Sequence, residues 1–117
     1  MTGLLKGKVV VVTGGSKGIG YSIAKRFIKE GAKVVVSSRN KEELEAAANT
    51  LSCDHFAVDV SDSKSVLSLK EWLVDTHGSL DILVNCAGAV RYDGIIEATE
   101  EDWDFQISVN LSGTFLM

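Results

Sequence analysis

The chain has 117 residues, and its 12 Lys and Arg against 16 Asp and Glu give a net charge of −4 at pH 7. This length fits one domain with one hydrophobic core. The longest basic run is Lys25-Arg26, so neither nucleic acid nor an anionic membrane is expected as a partner. The sequence lacks the ~18 successive apolar residues of a membrane span, and its first residues do not resemble a secretory signal. We therefore expect a cytoplasmic protein.

The two cysteines and the two histidines stand apart from one another in the sequence. Cys53 and Cys86 form no C-x-x-C pair, and neither His55 nor His77 has a Cys or His partner at the spacing of a zinc site. We expect structural roles for these four residues. The sequence predicts no metal site and no disulfide framework.

Apolar, β-branched runs alternate along the chain with segments of helical periodicity. Asn40 is a suitable N-cap, and Glu43 stands where a capping box would reach back. In chain order the predicted elements are strand 8–13, helix 18–30, strand 33–38, the helix capped by Asn40, strand 55–60, helix 62–77, strand 81–86 and a helix that starts at Thr99.

This alternation of strands and helices predicts a parallel sheet with right-handed crossovers and helices on both faces. The runs VVVV at 9–12 and VVV at 34–36 support it, because a strand exposed on one side would alternate with polar residues. We predict a doubly wound α/β fold with strand order 3-2-1-4. The chain ends inside its fourth predicted helix.

A cluster of glycines follows the most apolar strand and opens the first helix: Gly14, Gly15, Gly18 and Gly20. In a doubly wound sheet this turn is where phosphates bind, because backbone N–H groups and the helix dipole point there. The spacing T-G-x-x-x-G-x-G fits neither the P-loop nor the G-x-G-x-x-G fingerprint. A turn needed only for chain reversal is the alternative.

Residues 13–20, T-G-G-S-K-G-I-G, resemble the phosphate-binding turn of the short-chain dehydrogenase/reductase family. Three further segments match that family in the same order. They are Asp59-Val60, the N-C-A-G segment in which Cys86 replaces the second Asn of N-N-A-G, and V-N-L-S-G-T-F at residues 109–115. The likeness extends over essentially the whole chain.

This resemblance implies a Rossmann-type NAD(P)-binding domain over residues 1–117, as the cofactor-binding half of an oxidoreductase. The reaction it implies is carbonyl reduction or alcohol oxidation by hydride transfer on a small molecule. It also implies a homo-oligomer in the full-length form. A non-catalytic module that binds nucleotide, or that pairs with full-length relatives through the helix from Thr99, is the alternative.

The family motifs also imply roles for individual residues. Asp59 would contact the adenine amino group, and Asn110 would help to hold a water of the catalytic proton relay. A polar strand end is the alternative for Asp59, and a turn-forming Asn is the alternative for Asn85. The other cofactor contacts that the motifs imply are Thr13, Gly14, Ser16, Lys17, Gly18, Ile19, Gly20, Val60, Asn85, Ala87 and Gly88.

The end of the second strand, S-S-R-N, predicts which nicotinamide cofactor binds. An acid at this point accepts from the ribose 2′-OH of NAD and repels the 2′-phosphate of NADP. Here Ser38 takes the acid's place, Arg39 offers a planar fork to phosphate, and Lys17 lies within the glycine turn. We predict NADP(H) in preference to NAD(H). The alternative is that both cations are solvated surface charges.

The catalytic Ser and the Tyr-x-x-x-Lys pair of the family have no match in this chain. Tyr21 and Lys25 have the spacing, but the predicted buried side of their helix carries Ile19, Ile23 and Phe27, which leaves the pair on the polar flank. Tyr92 is followed four residues later by an isoleucine. We therefore expect no turnover from residues 1–117 alone.

Overall fold

The computed structural model describes residues 3–89, 94 and 96–117. Four parallel strands form one sheet in the order β3-β2-β1-β4, which confirms the predicted class and strand order. The strands are β1 (Val9–Thr13), β2 (Lys33–Ser37), β3 (Asp54–His55) and β4 (Ile82–Asn85). The helices are α1 (Gly18–Lys29), α2 (Lys41–Leu51), α3 (Ser63–His77), α4 (Glu100–Ile107) and α5 (Gly113–Leu116), and a π-helical segment (Ser108–Ser112) joins the last two.

The two central strands are buried on both faces, as their valine runs predict. Val9 and Val11 pack into one cluster with α3, and Val10 and Val12 pack into a second with α1 and α2. Removing a valine side chain from water contributes about 1.5 to 3 kcal/mol. The core therefore lies on both sides of β1, and it fixes the carboxyl end of this strand beneath the glycine turn.

Side chains at the helix starts set where the helices begin. Asn40 accepts from the Glu43 N–H at 3.1 Å, as predicted, and the Glu43 carboxylate lies 3.7 Å from Lys17 Nζ. Thr99 and Asp102 form a reciprocal capping box at the start of α4. These caps satisfy backbone N–H groups that have no partner within the helix. Within the residues that the structure describes, no helix is long and apolar enough to cross a membrane.

Two elements differ from the sequence-based expectation. The third strand was expected at 55–60, but regular pairing is confined to β3, and Phe56 and Val58 continue as extended chain that still donates to β2 and to Ser38. Ile19 was expected on the buried side of α1, but it is 77% exposed. The reason is that Gly20 and Ala24 form the buried side of α1, which turns Ile19 away from the sheet.

Candidate functional site

The carboxyl ends of β1 and β2 and the loop after β4 enclose a cavity of about 450 Å³. This is the edge where parallel sheets of this type bind ligands, because helix N-termini and loops converge there. The predicted site residues that line the cavity are Thr13, Gly14, Ser16, Lys17, Ser38, Arg39, Asp59, Val60, Ala87 and Gly88.

Two glycines of the turn after β1 allow backbone segments to approach closely. A Cβ on Gly14, whose φ is +64°, would lie 2.8 Å from the Cys86 carbonyl oxygen. A Cβ on Gly20 would collide with the Gly14 carbonyl oxygen. The turn, the start of α1 and the loop after β4 thus pack at distances that exclude any side chain.

Gly18 has a different environment from the other two glycines. Its φ is +61°, which favours glycine, and a Cβ placed there would meet open space. The backbone at Gly18 is therefore uncovered at the start of α1, where the positive end of the helix dipole favours an anion.

Thr13 ties β1 to the loop after β4. Its hydroxyl accepts from the N–H groups of Cys86 and Ala87, both at 3.0 Å, and donates to the Val84 carbonyl at 3.4 Å. Thr13 is 1% exposed. Each such hydrogen bond contributes about 1 kcal/mol to stability. The Thr13 hydroxyl therefore holds the loop after β4 in place against the end of β1.

Asp59 and Val60 form the wall of the cavity that follows β3. Asp59 Oδ1 accepts from the Ser61 N–H at 3.0 Å and from the Ser61 hydroxyl at 2.6 Å, which holds the carboxylate in one orientation. Val60 is buried, and a Cβ on Gly113 would lie 2.6 Å from Val60 Cγ2. Gly113 thus lets α5 pack directly against this wall.

Both predicted phosphate-binding cations lie at the mouth of the cavity, and each has a neighbour that the sequence did not reveal. Lys17 is exposed and pairs with Glu43, which also lines the cavity. Arg39 is exposed, and its guanidinium carbon lies 5.7 Å from the centre of the Phe105 ring on α4. This distance is within the range of a cation–π contact. Both neighbours are distant in sequence, so only the fold brings them to the cations.

Ser37 is a cavity residue that sequence reasoning missed. It ends β2, is 1% exposed, and its hydroxyl has no hydrogen-bond partner among the described residues. A buried hydroxyl without a partner costs about 1 to 3 kcal/mol. The sequence does contain a signal for Ser37: it is a small polar residue directly after the apolar run of β2, next to Ser38.

Asn110 lies in the π-helical segment and contacts the loop after β4. Its Oδ1 accepts from the Ala89 N–H at 2.8 Å, and its Nδ2 donates to the Ala89 carbonyl at 2.6 Å. Asn is a poor residue for a helix interior, and this double contact supplies a reason for its presence. Single-turn π segments within helices are frequent at functional sites.

Some predicted site residues lie outside the cavity lining. Asn85 is exposed at the end of β4, in register with Thr13. The residues that line the cavity also do not include Gly18, Ile19, Gly20 and Asn110. Both Tyr21 and Lys25 were predicted to face solvent on the polar flank of α1: Lys25 is exposed, but Tyr21 is half-buried, because the side of α1 that faces the sheet is formed by Gly20 and Ala24. Tyr92 lies outside the described residues.

The donor set suits a dinucleotide that carries phosphate. The cations Lys17 and Arg39 line the cavity together with the buried Ser37 hydroxyl, which has no hydrogen-bond partner among the described residues, and the uncovered backbone of Gly18 follows Lys17 at the start of α1. Backbone N–H groups and a planar guanidinium are typical phosphate ligands. The residues present thus fit a nicotinamide dinucleotide.

Comparisons with known proteins agree with this geometry. The sequence profile described as short chain dehydrogenase matches residues 8–117. The chain is 42% identical over 118 residues to D-threitol dehydrogenase of Mycolicibacterium smegmatis, a match that covers 97% of this chain and 45% of that protein. It is 43% identical over 114 residues to an uncharacterized oxidoreductase of Staphylococcus aureus strain USA300, covering 95% of this chain and 49% of that protein.

Solved structures show the same likeness. A short chain dehydrogenase from Mycobacterium smegmatis superposes with a TM-score of 0.91 at 35% identity, over 97% of this chain and 50% of that one. A structure described as a short-chain dehydrogenase from Novosphingobium aromaticivorans gives 0.91 at 25% identity, over 96% and 43%. The chain belongs to the short-chain dehydrogenase family. It spans about half the length of the relatives it matches.

Proposed function

We propose that the chain is the cofactor-binding half of an NADP(H)-dependent oxidoreductase that interconverts a carbonyl and an alcohol. The observation that carries the proposal is that Lys17, Ser38 and Arg39 line one cavity, while the end of β2 bears no carboxylate. Two cations there favour a 2′-phosphate, and the acid that would select the 2′-OH of NAD is missing. We propose residues 1–117 as a single nucleotide-binding domain.

In this proposal each group of residues binds one part of the dinucleotide. The backbone of the turn from Gly14 to Gly20, with Ser16, takes the pyrophosphate, and Asp59 and Val60 take the adenine. Ser38, Arg39 and Lys17 take the 2′-phosphate. The loop after β4, with Asn85, Ala87 and Gly88, lies along the ribose that leads to the nicotinamide, and Ile19 supplies an exposed apolar contact at the start of α1.

The nicotinamide supplies the hydride when it is bound. Asn110 keeps Ala89 and its loop in place, and the free lone pair of its Oδ1 is the group we propose for the relay water. The proton itself needs a Ser and a Tyr-x-x-x-Lys set, which residues 1–117 do not supply. We therefore propose that these residues alone do not turn over.

The remaining parts of the proposal concern substrate, location and assembly. The name of one relative, D-threitol dehydrogenase, supports a small alcohol or its carbonyl product as the substrate class. We propose a cytoplasmic protein, and a homo-oligomer in the full-length form that uses the helix from Thr99. The exposed Trp103 and Leu111 on that helix also favour the second candidate function, a non-catalytic partner that pairs with full-length relatives.

A double variant tests the cofactor assignment. Ser38→Asp with Arg39→Leu installs the acid and removes one cation, so NADPH affinity should fall by about 10- to 150-fold, since charge-assisted contacts contribute about 1.5 to 3 kcal/mol each. NADH affinity should rise. Lys41→Gln is the matched control, because Lys41 is an exposed cation of α2 that pairs with Glu45 away from the cavity. An unchanged ratio of the two affinities in the double variant would refute the assignment.

A further inference from the structure

Glu43 is the one carboxylate besides Asp59 in the described lining of the cavity. Its Oε2 lies 3.7 Å from Lys17 Nζ, and the side chains of Lys17 and Glu43 are 80% and 50% exposed. Glu43 stands in the first turn of α2, three residues after Asn40, which ends the strand-to-helix loop that carries Ser38 and Arg39. The Glu43 carboxylate is thus an anionic partner of Lys17, the cation that we assign to the 2′-phosphate.

We propose that Glu43 is a specificity-determining residue that limits the preference for NADP(H) by competing with the 2′-phosphate for Lys17. This inference rests on the proposed function, because it assigns the 2′-phosphate to Lys17. Glu43 weakens the binding of NADP(H) at a site where Lys17, Ser38 and Arg39 strengthen it. NAD(H) carries no phosphate at this point, so the carboxylate leaves its binding unaffected.

Two opposing electrostatic effects decide whether Glu43 strengthens or weakens NADPH binding. An exposed ion pair is weak, so orienting Lys17 through Glu43 brings little benefit to binding. The carboxylate repels a phosphate that bears nearly two charges, and that phosphate must displace or share the ammonium of Lys17. The repulsion therefore outweighs the gain from orientation, and loss of the charge on Glu43 should strengthen NADPH binding.

A role in helix stability is the competing explanation for Glu43. Acidic residues in a first helical turn are favourable, and α2 has two of them, Glu42 and Glu43. Glu42 is exposed and lies outside the cavity lining. Glu42→Gln therefore removes the same charge from the same helical turn without removing the partner of Lys17, which makes it the matched control.

The experiment is calorimetric titration of the 117-residue chain, and of its Glu43→Gln, Glu43→Asp and Glu42→Gln variants, with NADPH and with NADH. Glu43→Gln should raise NADPH affinity by about three- to tenfold and leave NADH within about twofold, as expected for a screened charge near a phosphate. Glu42→Gln should change both by less than about twofold, and Glu43→Asp should stay near the original chain. The gain should shrink as salt is raised from 50 to 500 mM.

The outcomes separate this inference from the function on which it rests. An original chain that binds NADH as well as NADPH refutes the proposed function, whatever Glu43 does. A chain that prefers NADPH, with Glu43→Gln unchanged or weaker for NADPH, overturns only the role of Glu43. An equal gain for both cofactors, or an equal effect of Glu42→Gln, overturns it as well.

Discussion

The side-chain amide of Asn110 holds the backbone of Ala89 by both of its ends. Its Oδ1 accepts from the Ala89 N–H at 2.8 Å, and its Nδ2 donates to the Ala89 carbonyl at 2.6 Å. The two residues are 21 positions apart, one in the loop after β4 and the other in the π-helical segment. Asn110, the proposed relay residue, thus connects its helical segment to the cavity wall that contains Ala89.

Asn110→Asp should break half of this contact and place a carboxylate against the Ala89 carbonyl. We expect the free energy of unfolding to fall by about 1 to 3 kcal/mol, the cost of leaving polar groups unpaired. NADPH affinity should fall too, because Ala87 and Gly88 of the same loop line the cavity. Thermal unfolding, hydrogen exchange at the Ala89 amide and NADPH titration measure these effects. Ser112→Ala, at an exposed position of the same segment, is the control, and unchanged exchange at Ala89 would contradict the prediction.

Gly20→Ala should disrupt the glycine turn by collision alone. A Cβ at Gly20 would meet the Gly14 carbonyl oxygen, and its φ is not in the left-handed region. Overpacking of this kind costs about 1 to 3 kcal/mol, and the displaced turn should also lose affinity for NADPH. Denaturant unfolding and NADPH titration provide the readouts. Ser22→Ala on the exposed side of α1 should be nearly neutral, so a Gly20→Ala chain as stable as this control would contradict the close approach of Gly20 to Gly14.

The two cysteines should differ sharply in reactivity. Burial, with a smaller contribution from the Asp54 carboxylate, raises the pKa of the Cys53 thiol to about 11. Because the thiolate is the reactive form, alkylation of Cys53 by iodoacetamide should be slow at pH 7 and rise about tenfold per pH unit toward pH 11. Cys86 lines the cavity, so NADPH should protect it. Mass spectrometry of the single variants Cys53→Ala and Cys86→Ala resolves the two sites.

Either of two results in that labelling experiment would be inconsistent with the structure. The first is rapid alkylation of Cys53 at pH 7, which would require a more exposed thiol. The second is equal labelling of Cys86 with and without saturating NADPH, which would place the cofactor away from the loop after β4.

The strand order and the main wall of the cavity were predictable because they depend on local pattern. Valine runs mark β1 and β2 as buried on both faces, and the glycine turn marks the carboxyl end of β1. The length of β3 was not predictable, since Phe56 and Val58 keep extended geometry and hydrogen bonds without regular pairing.

The remaining differences come from tertiary contacts that one sequence does not contain. Ile19 fits the apolar period of α1, yet the close approach of Gly20 to Gly14 decides which side of the helix faces the sheet. The sequence predicts that Glu43 takes part in a capping box with Asn40. In the structure its carboxylate pairs with Lys17, which lies 26 positions earlier in the chain. Ser37 stands out in the structure because its buried hydroxyl has no hydrogen-bond partner among the described residues, which the sequence does not reveal.

Residues 1–117 expressed alone should associate and should not oxidise NADPH. β4 forms one edge of the described sheet, and Phe115, at 87% exposure, adds apolar surface on α5. An unprotected strand edge and an apolar patch both favour association. Light scattering and a ketone panel with NADPH measure the two properties, and Phe115→Lys should reduce the association while Thr114→Lys beside it should not. A monomer at high concentration contradicts the first part, and turnover above background contradicts the second.

The relative affinity of the 117-residue chain for NADPH and NADH tests the central claim most directly. We expect isothermal calorimetry to show tighter binding of NADPH by at least about tenfold at low salt, because Lys17 and Arg39 contribute charge-assisted contacts to the 2′-phosphate. That advantage should largely disappear in Lys17→Gln with Arg39→Leu. Equal affinity for the two cofactors, or a preference for NADH in the original chain, would contradict the account.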